Sequence, residues 1–230
     1  MSTTSPIDPA ITEILTFWFN DLPREAWFMP PPELDLDTTI TTRFLTYVER
    51  AINTTDLDHW TQTPEGTLAL ILLLDQFPRN IYRANRHPQP HLSFSGDRKA
   101  QGIASTAISK GFDRAIESQF AKSGGKTYRY FVYMPLMHAE DLVAQVACVA
   151  LTENMQLECL LAQAEKTSRG EVESEEEKKM MEWLGVAVPF AKRHRNCVEL
   201  LGRFPKRNEA LGREHSLAEK EWLEKNPSGF

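Results

Sequence analysis

Apolar residues near the start of the chain recur every three or four positions, which is the spacing of one face of an α-helix. Asp8 followed by Pro9 is typical of a helix N-cap and a first helical residue. A second amphipathic helix is predicted from about Asp37 to Ile52. The residues predicted to face inward in these two helices are Ile11, Ile14, Leu15, Trp18, Ile40, Phe44, Tyr47, Val48 and Ala51.

The most hydrophobic stretch, TLALILLLDQF, follows the cap-like sequence Thr63-Pro64-Glu65. It is apolar on all sides, so it fits either a buried helix or a buried strand. Leucine and alanine dominate it and β-branched residues are few, which favours a central helix.

Further helices are predicted after Gly96, with Gly111 near its C′ position, and from Pro135 onwards. Ser216 and Glu219 have the spacing of a capping box, which predicts a short terminal helix. Strands at regular spacing and a long Gly-, Ser- and Pro-rich linker are both missing from the sequence. We therefore expect an all-α protein with a single domain over residues 1–230, built from stacked antiparallel helical hairpins.

Composition narrows the class of protein. Hydrophobic residues make up 41% and charged residues 25% of the 230 residues, as in globular proteins. The net charge of −6 argues against nucleic acid and anionic membranes as partners. Three cysteines form no even framework, and the longest apolar run, Leu68 to Leu74, is too short to span a bilayer. These features predict a cytoplasmic protein.

A polar motif occurs twice, as Phe77-Pro78-Arg79-Asn80 and as Phe204-Pro205-Lys206-Arg207-Asn208. Proline stops a helix and leaves carbonyl groups unpaired, and Arg and Asn side chains can bind such groups. Alternatively, the guanidinium groups bind a carboxylate or phosphate in bidentate fashion. The candidate ligand-binding residues are Arg79, Asn80, Arg83, His194, Arg203, Arg207 and Asn208.

A second candidate is Met137-His138-Ala139-Glu140-Asp141, where His138 is accompanied by two carboxylates. A carboxylate beside an imidazole can make it a general base, so His138 and Glu140 are the candidate catalytic pair. Alternatively, the acidic residues only complement a helix N-terminus. Motifs for zinc, calcium or a dinucleotide are missing, so no cofactor and no metal are predicted, although an unusual site of His138 and carboxylates stays open.

Four segments in this order resemble the family catalogued as domain of unknown function 924. They are ILTFWFND, LALILLLDQFPRNIYR, FVYMPLMHAEDLVAQ and RHRNCVELLGRFPKRNEALGRE, and the resemblance runs from about Ile11 to Phe230. It implies an all-α fold similar to tetratricopeptide stacks. The family's polar pattern maps onto Asp75, Gln76, Arg79, Asn80, Arg83, His138, Glu140, His194, Arg203, Arg207, Asn208 and Arg213.

Two positions depart from the family pattern. Ala139 stands where the family commonly has serine, so serine catalysis there is not expected. Lys206 stands where the family commonly has histidine. The leading hypothesis is a cofactor-independent enzyme, or a specific binder, that acts on a small polar or anionic molecule. The alternative is a helical-repeat module that binds a peptide or a partner protein.

Overall fold

The computed structural model describes residues 8–28, 30–83 and 87–227. Within these ranges the chain forms helices joined by turns and contains no strand, which confirms the predicted all-α class. The chain divides into two compact units, Met1–Phe120 and Ala121–Phe230. The interpretation of residues 1–230 as one domain, and its likeness to tetratricopeptide stacks, remain predictions.

The described residues of the first unit form six α-helices. They are α1 (Pro9–Thr16), α2 (Leu36–Asn53), α3 (Pro64–Ile71), α4 (Phe77–Ile81), α5 (Asp97–Ser109) and α6 (Phe112–Gln119). The predicted N-caps are confirmed, because Asp8 accepts a hydrogen bond from the amide of Ala10 and Thr63 accepts one from Gly66. The side chains of Ile40 and Phe44 on α2 are buried as the periodicity predicts.

Helix α3 is the centre of the first unit, and it contacts α1, α5 and α6. Every residue from Leu68 to Leu74 is fully buried, which confirms the prediction of a central buried helix over a strand. The predicted break at Pro78 is wrong. A π-helical turn, Leu72–Gln76, joins α3 directly to α4, and the widened turn accommodates a proline that has no N–H to donate.

Two glycines at the ends of α5 have clear structural reasons. Gly96 is the residue before α5 and lies against the π-helical turn Leu72–Gln76. A Cβ at this position would lie 2.2 Å from the carbonyl oxygen of Leu74. Gly111 follows the helix with φ 71°, a left-handed conformation that glycine adopts without strain, as its predicted C′ position requires.

The second unit is built on three helices, α7 (Gly125–His138), α8 (Leu142–Ser168) and α9 (Glu175–Leu201). Lys166 of α8 pairs with Glu177 of α9 at 2.5 Å, and Lys192, further along α9, pairs with Glu153, further back on α8, at 2.7 Å. These helices are therefore antiparallel.

Helices α7 and α8 also run antiparallel. Arg129 on α7 donates to Glu158 on α8 at 2.8 Å, and Gln145 near the start of α8 donates to the carbonyl of Met137 at the end of α7. The C-terminal ends of α7 and α9 and the N-terminal end of α8 consequently meet at one end of this three-helix array.

The helix predicted to begin at Pro135 begins later. Pro135 lies inside α7, the helix ends at His138, and α8 starts at Leu142 after the N-cap Asp141, whose side chain accepts from the amide of Ala144 at 2.8 Å. The Asp141 carboxylate accepts a hydrogen bond from an unpaired N–H group at the helix N-terminus, which a proline side chain cannot do. The helix therefore begins after Asp141 and not at Pro135.

The C-terminal segment follows α9 and ends in helix α10 (Leu217–Lys225). Gly202 has φ 75° and ends α9, so the chain turns sharply before Phe204. The predicted capping box is confirmed, since Ser216 accepts from the amide of Glu219 and Glu219 accepts from the amide of Ser216.

Candidate functional site

His138 and Glu140 lie where α7 connects to α8, and hydrogen bonds from Gln145 fix the backbone of this connection. Gln145, which is fully buried, donates to the carbonyls of Met137 and Ala139 at 2.5 and 2.7 Å. One amide group therefore fixes the backbone on both sides of His138.

Phe204 anchors the C-terminal segment at this end of the array. Its ring is fully buried, and it packs with Cys197 and Val198 of α9. The guanidinium of Arg207 lies 4.6 Å above the Phe204 ring and its Nη2 donates to the carbonyl oxygen of His138 at 2.9 Å. The second polar motif is thus brought directly to the end of α7.

Glu140 and Arg213 form a bidentate ion pair. The two Nη atoms of Arg213 donate to the two carboxylate oxygens of Glu140 at 2.7 and 2.9 Å, and the amide of Phe204 donates to Glu140 Oε1 at 2.8 Å. Burial alone would raise the pKa of Glu140, but these hydrogen bonds and the charge of Arg207 lower it overall. Glu140 is therefore a carboxylate that links the α7–α8 connection to the C-terminal segment.

Asn208 extends this hydrogen-bonded network. Its Oδ1 accepts from Arg213 Nε at 2.9 Å, and its amide nitrogen lies 3.1 Å from Nδ1 of His215. Asn208 is fully buried, and both polar ends of its side chain have a partner in the C-terminal segment.

Arg203 is paired in the same segment. Its Nε and Nη2 contact the two carboxylate oxygens of Glu219 at 2.6 and 3.0 Å, and Nη2 also donates to the carbonyl of Glu214. The hydrogen bond from Arg203 is the largest reason that the pKa of Glu219 falls to about 2. This pair joins the end of α9 to the start of α10.

Two histidines lie side by side at the same end. The ring centroids of His138 and His194 are 6.3 Å apart, and the His194 ring also packs against Phe190 and Phe204. Burial lowers the pKa of His194 to about 3, with further contributions from His138, Arg207 and Arg193. His194 is therefore neutral at pH 7, and its Nδ1–H donates to the carbonyl of Phe190 at 3.0 Å.

The first polar motif lies in the first unit. Arg79 contacts the carbonyl of Asp75, the amide nitrogen of Asn80 donates to the carbonyl of Gln76 at 3.2 Å, and Arg79 also pairs with Asp97 of α5 at 2.9 Å.

Arg83 forms a bidentate pair with Asp37 of α2 at 2.8 and 2.9 Å and donates to Asn80 Oδ1 at 3.1 Å. The pairs of Arg83 with Asp37 and of Arg79 with Asp97 therefore join this segment to α2 and α5.

The structure brings together one set of the candidate residues at the end of the array in the second unit: His138, Glu140, His194, Arg203, Arg207 and Asn208. Arg213, Glu219 and His215 also belong to this network. The family pattern indicates Arg213, whereas the sequence identifies Glu219 only as a capping residue.

The part of the chain that the structure describes meets neither the requirements of a metal site nor those of a membrane-spanning helix. No group of three or more His, Cys, Asp or Glu side chains there could hold a metal ion. No helix in these ranges is both long and apolar enough to cross a membrane.

The fold and this network define an all-α protein with a polar cluster of histidine, arginine and carboxylate side chains at one end of a helical array. The chain matches the family described as bacterial protein of unknown function (DUF924) over residues 14–227, and it belongs to that family. A solved structure of a protein of unknown function from Agrobacterium tumefaciens is similar, with a TM-score of 0.69 and 29% identity. That similarity covers 94% of this chain and 98% of the other. No curated protein matches the chain.

Proposed function

We propose that this protein is a cofactor-independent enzyme, or a specific binder, for a small polar or anionic molecule at the C-terminal end of α7. The observation that carries the proposal is the contact of Arg207 with the carbonyl of His138, beside the neutral His194. This contact supports a site in which the Arg207 guanidinium and a histidine imidazole act on the same small molecule.

Each residue has a distinct role in this proposal. Arg207 binds an anionic group, because a guanidinium has five N–H donors and can hold a backbone carbonyl and an anion together. His138, which is half-buried, gives or takes a proton. Glu140 positions His138 and Arg207, because its two carboxylate oxygens accept hydrogen bonds from Arg213 and from the amide of Phe204.

The proposal is tested by ligand-induced changes in melting temperature against a library of carboxylated and phosphorylated metabolites. We expect at least one compound to stabilise the wild type and to lose its effect on Arg207→Ala. Lys206→Ala is the matched control, because Lys206 is an exposed neighbouring cation that donates to the carbonyl of Pro227.

His138→Gln separates an enzyme from a binder. Either kind of protein should still bind the ligand in this variant. Only an enzyme converts the ligand in the wild type and loses that conversion in the variant, as followed by mass spectrometry. The proposal fails if no compound in the library stabilises the wild type, or if Arg207→Ala responds to every compound as the wild type does.

A second candidate function rests on the outer face of α8. Val143, Val146, Ala150, Leu157 and Leu161 are exposed and fall on one stripe of this helix, with Val143 79% and Leu161 61% exposed. An apolar stripe on a long helix is the surface that a helical-repeat module offers to a peptide or partner helix.

The module hypothesis is tested by cross-linking and pull-down with Val146→Glu/Leu157→Glu. Leu217→Glu is the control, because Leu217 is an exposed leucine outside α8. A partner that is lost with the double variant and kept with the control supports the module. An unchanged set of partners contradicts it.

A further inference from the structure

A groove of about 470 Å³ lies in the first unit, between one face of α5 and the segment that leads into α3. None of its residues belongs to the polar cluster in the second unit. Its lining includes three cations, Arg98, Lys99 and Lys110, and one carboxylate, Asp58. The groove is therefore a basic surface on a chain whose net charge is −6.

The three cations of the groove differ in their contacts. Lys99 donates to the carbonyls of Ala51 and Thr54, both at 2.9 Å, and pairs with Asp58 at 2.7 Å, so it forms part of the wall. Arg98 and Lys110 are exposed and have no ion-pair partner among residues 8–28, 30–83 and 87–227. Both residues line the groove, and its carboxylate Asp58 pairs with Lys99 instead.

Gly102 leaves room between these two cations. Arg98, Gly102 and Thr106 of α5 and its C-cap residue Lys110 follow one another at intervals of four residues and form one stripe. A Cβ at Gly102 would have nothing within 4 Å. Glycine inside a helix costs about 1 kcal/mol relative to alanine, and here no close packing explains it. Its effect is to keep the groove open.

The size and the charges of the groove select the class of ligand. A volume of 470 Å³ lies within the roughly 300–1,000 Å³ range of small-molecule sites. Ile103, Ala107 and Phe112 give the groove an apolar part, while Arg98 and Lys110 are separated by about 18 Å of helix and reach inward on flexible side chains. The negative charge of the whole chain disfavours a polyanion.

We propose that this groove binds a small organic dianion whose two phosphate or carboxylate groups are contacted by Arg98 and Lys110, with Gly102 providing the space between them. The proposal does not depend on His138 or Arg207. Variants in the groove leave those residues intact, so the two hypotheses succeed or fail separately.

Calorimetric titration at low ionic strength tests the proposal with two probes, a hexose bisphosphate and the dicarboxylate suberate. We expect the wild type to bind one of them, which identifies the preferred anionic group. The double variant Arg98→Ala/Lys110→Ala should bind at least about tenfold more weakly, because two charge-assisted contacts are removed. Added salt should weaken the wild-type interaction as well.

Gly102→Leu tests the space in the groove without removing a charge. Leucine favours a helix more than glycine does, so the melting temperature should equal or exceed that of the wild type while binding is lost. Lys220→Ala/Lys225→Ala is the charge-matched control and should bind as the wild type, because both lysines are exposed on α10. The proposal is overturned if neither probe binds the wild type, or if Gly102→Leu or the Arg98/Lys110 variant binds with wild-type affinity.

Discussion

Glu140 shows at the scale of single residues how the polar cluster is assembled. Its carboxylate is half-buried and joins Arg213, which is 73 positions away in sequence, to the amide of Phe204, 64 positions away. An ion pair between a half-buried carboxylate and an arginine is stronger than an exposed ion pair, because water competes less for the carboxylate oxygens. Glu140 is therefore expected to stabilise the C-terminal segment.

Glu140→Gln should lower the free energy of unfolding by about 2 kcal/mol, because it removes the charge that Arg213 contacts while keeping the shape of the side chain. Urea denaturation at pH 7 measures this change. Glu175→Gln is the control, since Glu175 pairs with Lys178 on the surface and should change stability by less than about 0.5 kcal/mol. Equal effects of the two substitutions would contradict a special role for Glu140.

The residue types of the cluster could be found in the sequence, but their partners could not. The Arg-Asn motif and His138 stood out because many polar side chains followed apolar helices. The pairing of Glu140 with Arg213 depends on how the segment after Gly202 turns back, which no local pattern encodes. Residue spacing predicts neighbours on one helix, whereas contacts between distant segments are decided by packing.

Single helices were predicted more reliably than their junctions. The caps at Asp8, Thr63 and Ser216 were readable because each is a local hydrogen bond between residues close in sequence. The π-helical turn Leu72–Gln76 was missed, since proline at position 78 ordinarily ends a helix and only burial of the surrounding turn keeps it helical.

Two glycines of α5 should respond in opposite directions to the same substitution. Gly96→Ala should lower the free energy of unfolding by about 2 kcal/mol or more, because its Cβ would lie 2.2 Å from the carbonyl oxygen of Leu74. Gly102→Ala should raise it by about 0.5–1 kcal/mol, because it adds helix propensity in open space. Chemical denaturation of both variants measures the difference, and a Gly96→Ala protein as stable as the wild type would contradict the close approach to Leu74.

The stability of the whole molecule should fall as the pH is lowered, through two groups that begin to lose their contributions at different pH values. His194 has a folded pKa of about 3, below the ordinary value of 6.5, so protons bind the unfolded chain preferentially between these values. Its contribution is fully present above about pH 6.5 and is lost progressively below it. Glu219 has a folded pKa of about 2, so its contribution is present above about pH 4.5 and is lost as the pH falls towards 2.

The contributions of His194 and Glu219 can be separated by comparing the pH dependence of three proteins in urea denaturation. Between pH 7 and 5 the wild type should lose stability more steeply than His194→Gln, with a difference in slope of up to about 1.4 kcal/mol per pH unit. Glu219→Gln should keep the wild-type slope there and lose less stability than the wild type below about pH 4.5, because it no longer carries a carboxylate to protonate. Parallel curves for wild type and His194→Gln between pH 7 and 5 would mean that His194 is protonated as readily in the folded protein as in the unfolded chain, which is incompatible with its burial against Phe190 and Phe204.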